Sequence, residues 1–228
     1  MAHVVVACGL LAEARIAAGP GVRCVVAAGE ALRTALERAV ADGASALASF
    51  GLAGGLAPML RPGDWLIGRA VVTAGGRWAS APMWTDALAA RLPQAHRIAL
   101  AGSDRIIADP RDKRALYAQL GAAAVDMESH IVAQVASEHA LPFAVLRVVA
   151  DPAERPLPSA ACLDLAPGGR VAWLALLKSL LAEPGQIPAL ARVAIDARSA
   201  LRALSSGRRQ LGTGLGSADL GQLVLDVP

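Results

Sequence analysis

Buried strands alternating with amphipathic helices predict an α/β fold for this chain, and three stretches carry the prediction. His3 to Cys8 and Ala44 to Phe50 are short apolar runs, each leading into a glycine, as strands covered on both faces do. Glu30 to Ala41 sets Leu32, Leu36, Ala39 and Val40 on one helical face. Val125 to Asp151 reads as a helix followed by a buried strand. There, Ile131, Val132, Val135 and Ala136 recur at helical spacing, Asp126 stands at the N-cap and Glu128 falls in the first turn, where the helix dipole favours an anion. Leu141 and Pro142 stop that helix. Phe143 to Val149 is then apolar except for Arg147, and the run ends at Asp151-Pro152.

Arg147 is the residue that asks for an explanation. A cation inside an apolar strand is costly to bury unless a carboxylate or an anion faces it. Glu128 and Asp151 fall near the carboxyl ends of strands, where open α/β sheets bind their ligands. Pattern alone equally allows Glu128 to decorate a helix start and Asp151 to cap a turn.

Composition narrows the classes. At 228 residues the chain suits one α/β domain with a full core. A net charge of +3 permits an anionic partner, but no dense Lys/Arg block or aromatic stripe points to nucleic acid. Cys8, Cys24 and Cys162 are odd in number and widely spaced, as expected of reduced thiols in a cytoplasmic protein. His3, His96, His130 and His139 lack metal-ligand spacing, so no metal site is expected. Val5 to Cys8 faintly resembles a lipoprotein cleavage site, but it lacks a basic segment before it and reads as a first strand. The apolar run from Gly43 to Leu60 is broken by glycines and a proline, so no membrane span is expected.

Along the chain, Val22 to Ala27 reads as a second strand and Trp65 to Val72 as a fourth. Glu13 sits in the first turn of a helix, where a solvated side chain is the simplest reading. Gly51, Gly54 and Gly55 read as a loop whose backbone approaches a ligand, or as a tight turn. Thr73 to Thr85 reads as a loop in which Trp78, Met83 and Trp84 form an apolar contact surface; packing on its own domain or on a second subunit is the alternative. Asp86 to Leu92 and Pro110 to Leu120 read as helices, and Arg97 to Ala101 as a strand. Helices Val171 to Leu181 and Ile187 to Leu204 follow a proline-rich loop. Residues 1–204 therefore form the domain, and 205–228, with little periodicity, a loosely held tail.

In combination these motifs resemble the purine nucleoside phosphorylase and methylthioadenosine/S-adenosylhomocysteine nucleosidase superfamily. The carriers are Met127-Glu128, the Arg147-to-Asp151 segment, the glycines followed by Ala57-Pro58, and Arg61-Pro62-Gly63-Asp64. More narrowly, the chain resembles the hopanoid-associated phosphorylases, which act on adenosylhopane. The resemblance runs from about Val4 to Leu204 and implies a three-layer α/β/α fold with a central mixed sheet, nucleoside phosphorylase-like, in at least a dimer. It implies that Asp151 protonates the departing adenine and that Met127 and Glu128 hold the ribose. It further implies that Ile106 and Ile107 line the base and that Glu13 activates a water. Arg147 would flank the nucleophile, and Trp78, Met83 and Trp84 would contact the 5′ group. Two departures stand out: Leu52 and Ala150 occupy positions where the nucleosidases carry serine.

The reaction implied is cleavage of an adenine nucleoside with a bulky apolar 5′ group, adenosylhopane in the narrow reading. No cofactor is implied, though inorganic phosphate is a candidate co-substrate. Arg147, Arg15 and the Gly51–Gly55 N–H groups favour phosphate as nucleophile, and Glu13 favours water; the narrower family leans to phosphate. A lipid-linked nucleoside would bring the enzyme to a membrane surface transiently, without a span. Two alternatives remain at this point, a methylthioadenosine/S-adenosylhomocysteine nucleosidase and a non-catalytic nucleoside-binding protein.

Overall fold

The computed structural model describes residues 3–161 and 184–217. Eight strands form one mixed sheet: β1 (Val4–Cys8), β2 (Val22–Val26), β3 (Ala46–Gly55), β4 (Trp65–Thr73), β5 (Gly76–Ala79), β6 (His96–Gly102), β7 (Ala124–Asp126) and β8 (Phe143–Asp151). The α-helices among the described residues are α1 (Leu11–Ala17), α2 (Gly29–Ala41), α3 (Pro82–Arg91), α4 (Pro110–Leu120), α5 (Ser129–Glu138) and α6 (Ile187–Leu211).

β1 pairs in parallel with β2 and β3, and β3 pairs in parallel with β8 along nearly its whole length. β8 runs antiparallel to β4, β4 parallel to β6, and β6 parallel to β7. β7 returns antiparallel to the end of β3. The strands β3, β8, β4, β6 and β7 thus close a ring, with β2–β1 and β5 extending from it. Alternation along β1 shows how the layers form. Val5 and Ala7 join a core with Leu32 and Leu36 of α2 and Val132 and Val135 of α5. Val4, Val6 and Cys8 join the opposite core with Ala14 of α1, Trp84 and Leu88 of α3, and Leu204 of α6. The protein is a three-layer α/β/α structure, as expected.

Several expectations change. Gly51 to Gly55 is not a loop; it is the second half of β3, because that segment keeps pairing with β8 and then meets β7. Thr73 to Thr85 is not a loop either. β4 turns tightly at Ala74-Gly75 into β5, and α3 starts at Pro82, whose fixed φ suits a first helical turn. The Trp78–Met83–Trp84 surface therefore does not form. Trp84 is fully buried and donates from Nε1 to Leu215 O at 2.9 Å, while Trp78 packs against the core and Met83 is exposed.

The tail also departs from expectation. The last helix continues past Leu204 to Leu211, and Leu211 and Leu215 are fully buried against the α3 side of the sheet. Gly207 lets the helix lie on Trp65; a Cβ there would stand 2.4 Å from the ring. Cys162, the helix expected over 171–181 and residues 218–228 lie outside the described residues. No helix among the described residues is long and apolar enough to cross a membrane.

Candidate active site

The ends of β1, β3, β7 and β8 surround a cavity of about 300 Å³. Each of its carboxylates arrives by a local device. Glu13 is the third residue of α1, and its side chain turns back to accept from Leu10 N at 2.9 Å. Its other oxygen accepts from Leu52 N at 2.8 Å, across the sheet on β3. Glu13 is buried, not solvated, and burial pushes its carboxyl above the usual range, against Arg147 and the backbone donors. Asp126 is not the N-cap of α5 that the sequence suggests, because β7 runs through it and the cap position falls to Glu128. From the strand end its carboxylate accepts from Glu128 N at 3.0 Å and Ser129 N at 2.7 Å. Those two bonds hold the backbone of Met127 and Glu128 against the cavity.

Arg147 ties the acids together. Fully buried in β8, it lies 3.1 Å from Asp126 Oδ2 through Nε and 3.0 Å from Glu128 Oε2 through Nη2. It also donates to Ser49 Oγ and, at 3.3 Å, to Leu52 O. Ser129 Oγ links Ser49 and Asp126. The carboxylates expected to face Arg147 are therefore present, and they occupy its guanidinium. Glu128 is raised to about 7, chiefly by burial, with Arg147 opposing and Asp126 and Glu13 adding. Missing side chains make room for the cluster. A Cβ at Gly9 would stand 2.6 Å from Glu128 Oε1, and one at Gly51 would stand 2.5 Å from Glu13 and 2.7 Å from Arg147 Nη1.

Asp151 enters at the end of β8, beside Gly54. Burial raises its carboxyl, opposed by an ion pair with Lys113 on α4. Ile106, Ile107, Val125 and Leu157 supply apolar wall around it.

The cavity brings together Glu13, Met127, Glu128, Asp151, Ile106, Ile107 and Gly54. Gly51, Gly55 and Arg147 stand outside the lining, the first and last forming its floor through Glu13 and Glu128. Trp78, Met83 and Trp84 are not part of it: Trp84 is buried in the core beneath α3, Trp78 of β5 packs against the other core, and Met83 is exposed. Arg15 is exposed and does not line it. Sequence reasoning missed Lys113, Ser49, Ser129 and Val193 of α6. Among the described residues, no group of three or more His, Cys, Asp or Glu could hold a metal ion.

With three carboxylates around one guanidinium, the centre is electronegative when all are ionised. It suits a developing cation and opposes an added dianion. The raised carboxyls also couple to stability. An unfolded glutamate titrates near 4.5 and folded Glu128 near 7, so its stabilising contribution is complete below the first value and is lost as pH rises through the second. The ligand-free protein should melt several degrees higher at pH 5 than at pH 8, and Glu128→Gln should shrink that difference. An equal difference in both proteins would remove Glu128 as its source.

Comparison with known families agrees with this architecture. The chain belongs to the Phosphorylase superfamily, whose profile matches residues 5–166. It is similar in fold to the futalosine hydrolase of Helicobacter pylori (TM-score 0.62, 15% identity, 92% of this chain and 98% of that one). It is equally similar to the 5′-methylthioadenosine/S-adenosylhomocysteine nucleosidase of Helicobacter pylori (TM-score 0.62, 16% identity, 92% and 99%). The S-adenosylhomocysteine nucleosidase of Streptococcus pyogenes gives a TM-score of 0.63 at 15% identity, covering 93% and 98%. Comparison with curated protein sequences gives no match.

Proposed function

We propose that this protein cleaves the N-glycosidic bond of an adenine nucleoside carrying an apolar 5′ group, with water as the nucleophile. The observation that supports the reading most is the pairing of Asp151 at one part of the cavity with Glu13 and Glu128 at another, all raised by burial. In this mechanism Asp151 gives its proton to N7 of adenine as the C1′–N9 bond breaks, so the bonding pair leaves with a neutral base. Glu128, ionised, accepts from the ribose hydroxyls and places negative charge under the oxocarbenium-like sugar, against which Met127 packs. Water adds to C1′ and gives a proton to Glu13, whose oxygens are fixed by Leu10 N and Leu52 N.

Water is preferred over phosphate for a reason of charge. Arg147 is spent on Asp126 and Glu128, and Leu52 N on Glu13, so the donors that pointed to a phosphate site are engaged elsewhere. This reverses the lean toward phosphate drawn from the narrower resemblance.

Two 5′ groups compete in this reading. Leu10, Leu52, Leu157, Ala161 and Val193 give the cavity an apolar lining, which supports a bulky hydrocarbon such as the hopane of adenosylhopane. A volume near 300 Å³ holds little more than a nucleoside, and that favours the methylthioadenosine-type substrate. One Helicobacter pylori nucleosidase mutant holds 5′-methylthioadenosine in its active site. A triterpenoid would have to project from the mouth. The reading keeps the protein cytoplasmic and homo-oligomeric, with transient contact at a membrane surface if the substrate is lipid-linked. Direct competition between methylthioadenosine and long-chain 5′-alkyl adenosines decides the 5′ group. The bulky reading expects the long chain to win in kcat/KM, and preference for methylthioadenosine would discard it.

A further inference from the structure

The Asp151 carboxylate is met from behind by a lysine that the mechanism above does not use. Lys113, in α4, is fully buried, and its ammonium is ion-paired with Asp151 Oδ2. Its remaining donors reach Pro152 O at 2.9 Å and Arg155 O at 3.4 Å. All three N–H groups of the ammonium are thereby engaged, the condition under which a buried lysine can stay charged. Two of the three acceptors are carbonyls of the segment just after β8, so the lysine grips both the carboxylate and the chain that carries it. Ala150 offers no hydroxyl beside it, and Gly54 no side chain.

We propose that Lys113 is the positioning residue for Asp151: it holds Oδ2, leaves Oδ1 to face the base, and sets how readily the carboxyl keeps its proton. The assignment rests on the reaction proposed above. Three charged groups act on this carboxyl, Lys113 from α4, Arg155 from the following loop and Asp196 from α6. Arg155 and Asp196 are ion-paired with each other and pull the carboxyl in opposite directions. Burial favours the protonated acid and Lys113 opposes it most. Removing the lysine cation must therefore keep Asp151 protonated to higher pH. It must also loosen the carboxylate, so that more of its orientations are unproductive.

The experiment follows the Asp151 carboxyl by carbon-13 NMR in aspartate-labelled wild type, Lys113→Met and Lys113→Arg, with Asp151→Asn to assign the signal. Lys113→Met should titrate about one to three pH units above wild type, the range for loss of an opposite charge at this separation. Lys113→Arg, which keeps the cation, should stay near wild type. In turnover, the alkaline limb of kcat/KM should move upward in the Met variant while kcat falls. An unmoved carboxyl in Lys113→Met, or equal displacement in both variants, overturns the proposal. Should Lys113→Met fail to fold, the Lys113 Nζ signal of wild type decides. It should shift in Asp151→Asn, and an identical signal there overturns the pairing. The titrations need no turnover. Failure of wild type to release adenine would therefore count against the reaction, while the NMR result still decides the role of Lys113.

Discussion

Asp151→Asn should lower the rate of adenine release by roughly 10²–10⁴-fold, the usual worth of a positioned general acid. The amide keeps the shape of the carboxyl but has no acidic proton for N7. The fold should survive, because the amide oxygen introduced by Asp151→Asn can still accept from Lys113 at the same place. The change should fall on kcat and kcat/KM together, since the proton is needed only as the bond breaks. Turnover within a few-fold of wild type would remove Asp151 from the chemistry. A rise in KM alone would reduce it to a contact with the ground-state base.

Arg147→Met should be the most destabilising single change. The guanidinium is fully buried and lies against Asp126, Glu128, Ser49 and the Leu52 carbonyl. Removing one member of a buried ion network leaves unpaired charge and costs about 3–5 kcal/mol. In a chain of this length each kcal/mol corresponds to roughly 2–4 °C, so Tm should fall by about 10 °C. Part of the loss should return at low pH, where Glu13 and Glu128 are neutral. A variant that melts within two or three degrees of wild type at pH 8 would show that the cluster does not depend on Arg147.

The acids were legible in the sequence for different reasons. Arg147 is a cation in an apolar strand, and the physics of burying it demanded carboxylates that Asp126 and Glu128 in fact supply. Glu13 was visible only through resemblance, because a glutamate in a first helical turn is ordinarily solvated; here its two backbone donors draw it inward. Lys113 was hidden in a run of four charged residues, Arg111 to Arg114, at the start of a helix. The signal was its spacing from Leu116 and Leu120, both packed toward the core under α4.

Aromatic content misled in the opposite direction. Trp78 and Trp84 drew attention because the chain has few aromatics, but rarity says nothing about direction. Pro82 marks a helix start, and that helix carries Trp84 into the core and onto Leu215. The glycines of β3 read as a loop, and they lie in a strand. At Gly51 the missing side chain leaves space for Glu13 and Arg147, and the strand continues through it. The end of α6 was missed because Gly207 weakens a helix by propensity while permitting its close packing on Trp65.

The central claim is bond cleavage by water between an adenine and its ribose. Its most direct test is incubation of the protein with methylthioadenosine and with a long-chain 5′-alkyl adenosine in phosphate-free ¹⁸O-water, with both products weighed by mass spectrometry. The expected result is free, unlabelled adenine together with a ribosyl product carrying one ¹⁸O, at a rate that added phosphate leaves unchanged. Absence of adenine from every nucleoside, or release only when phosphate is supplied, would contradict it.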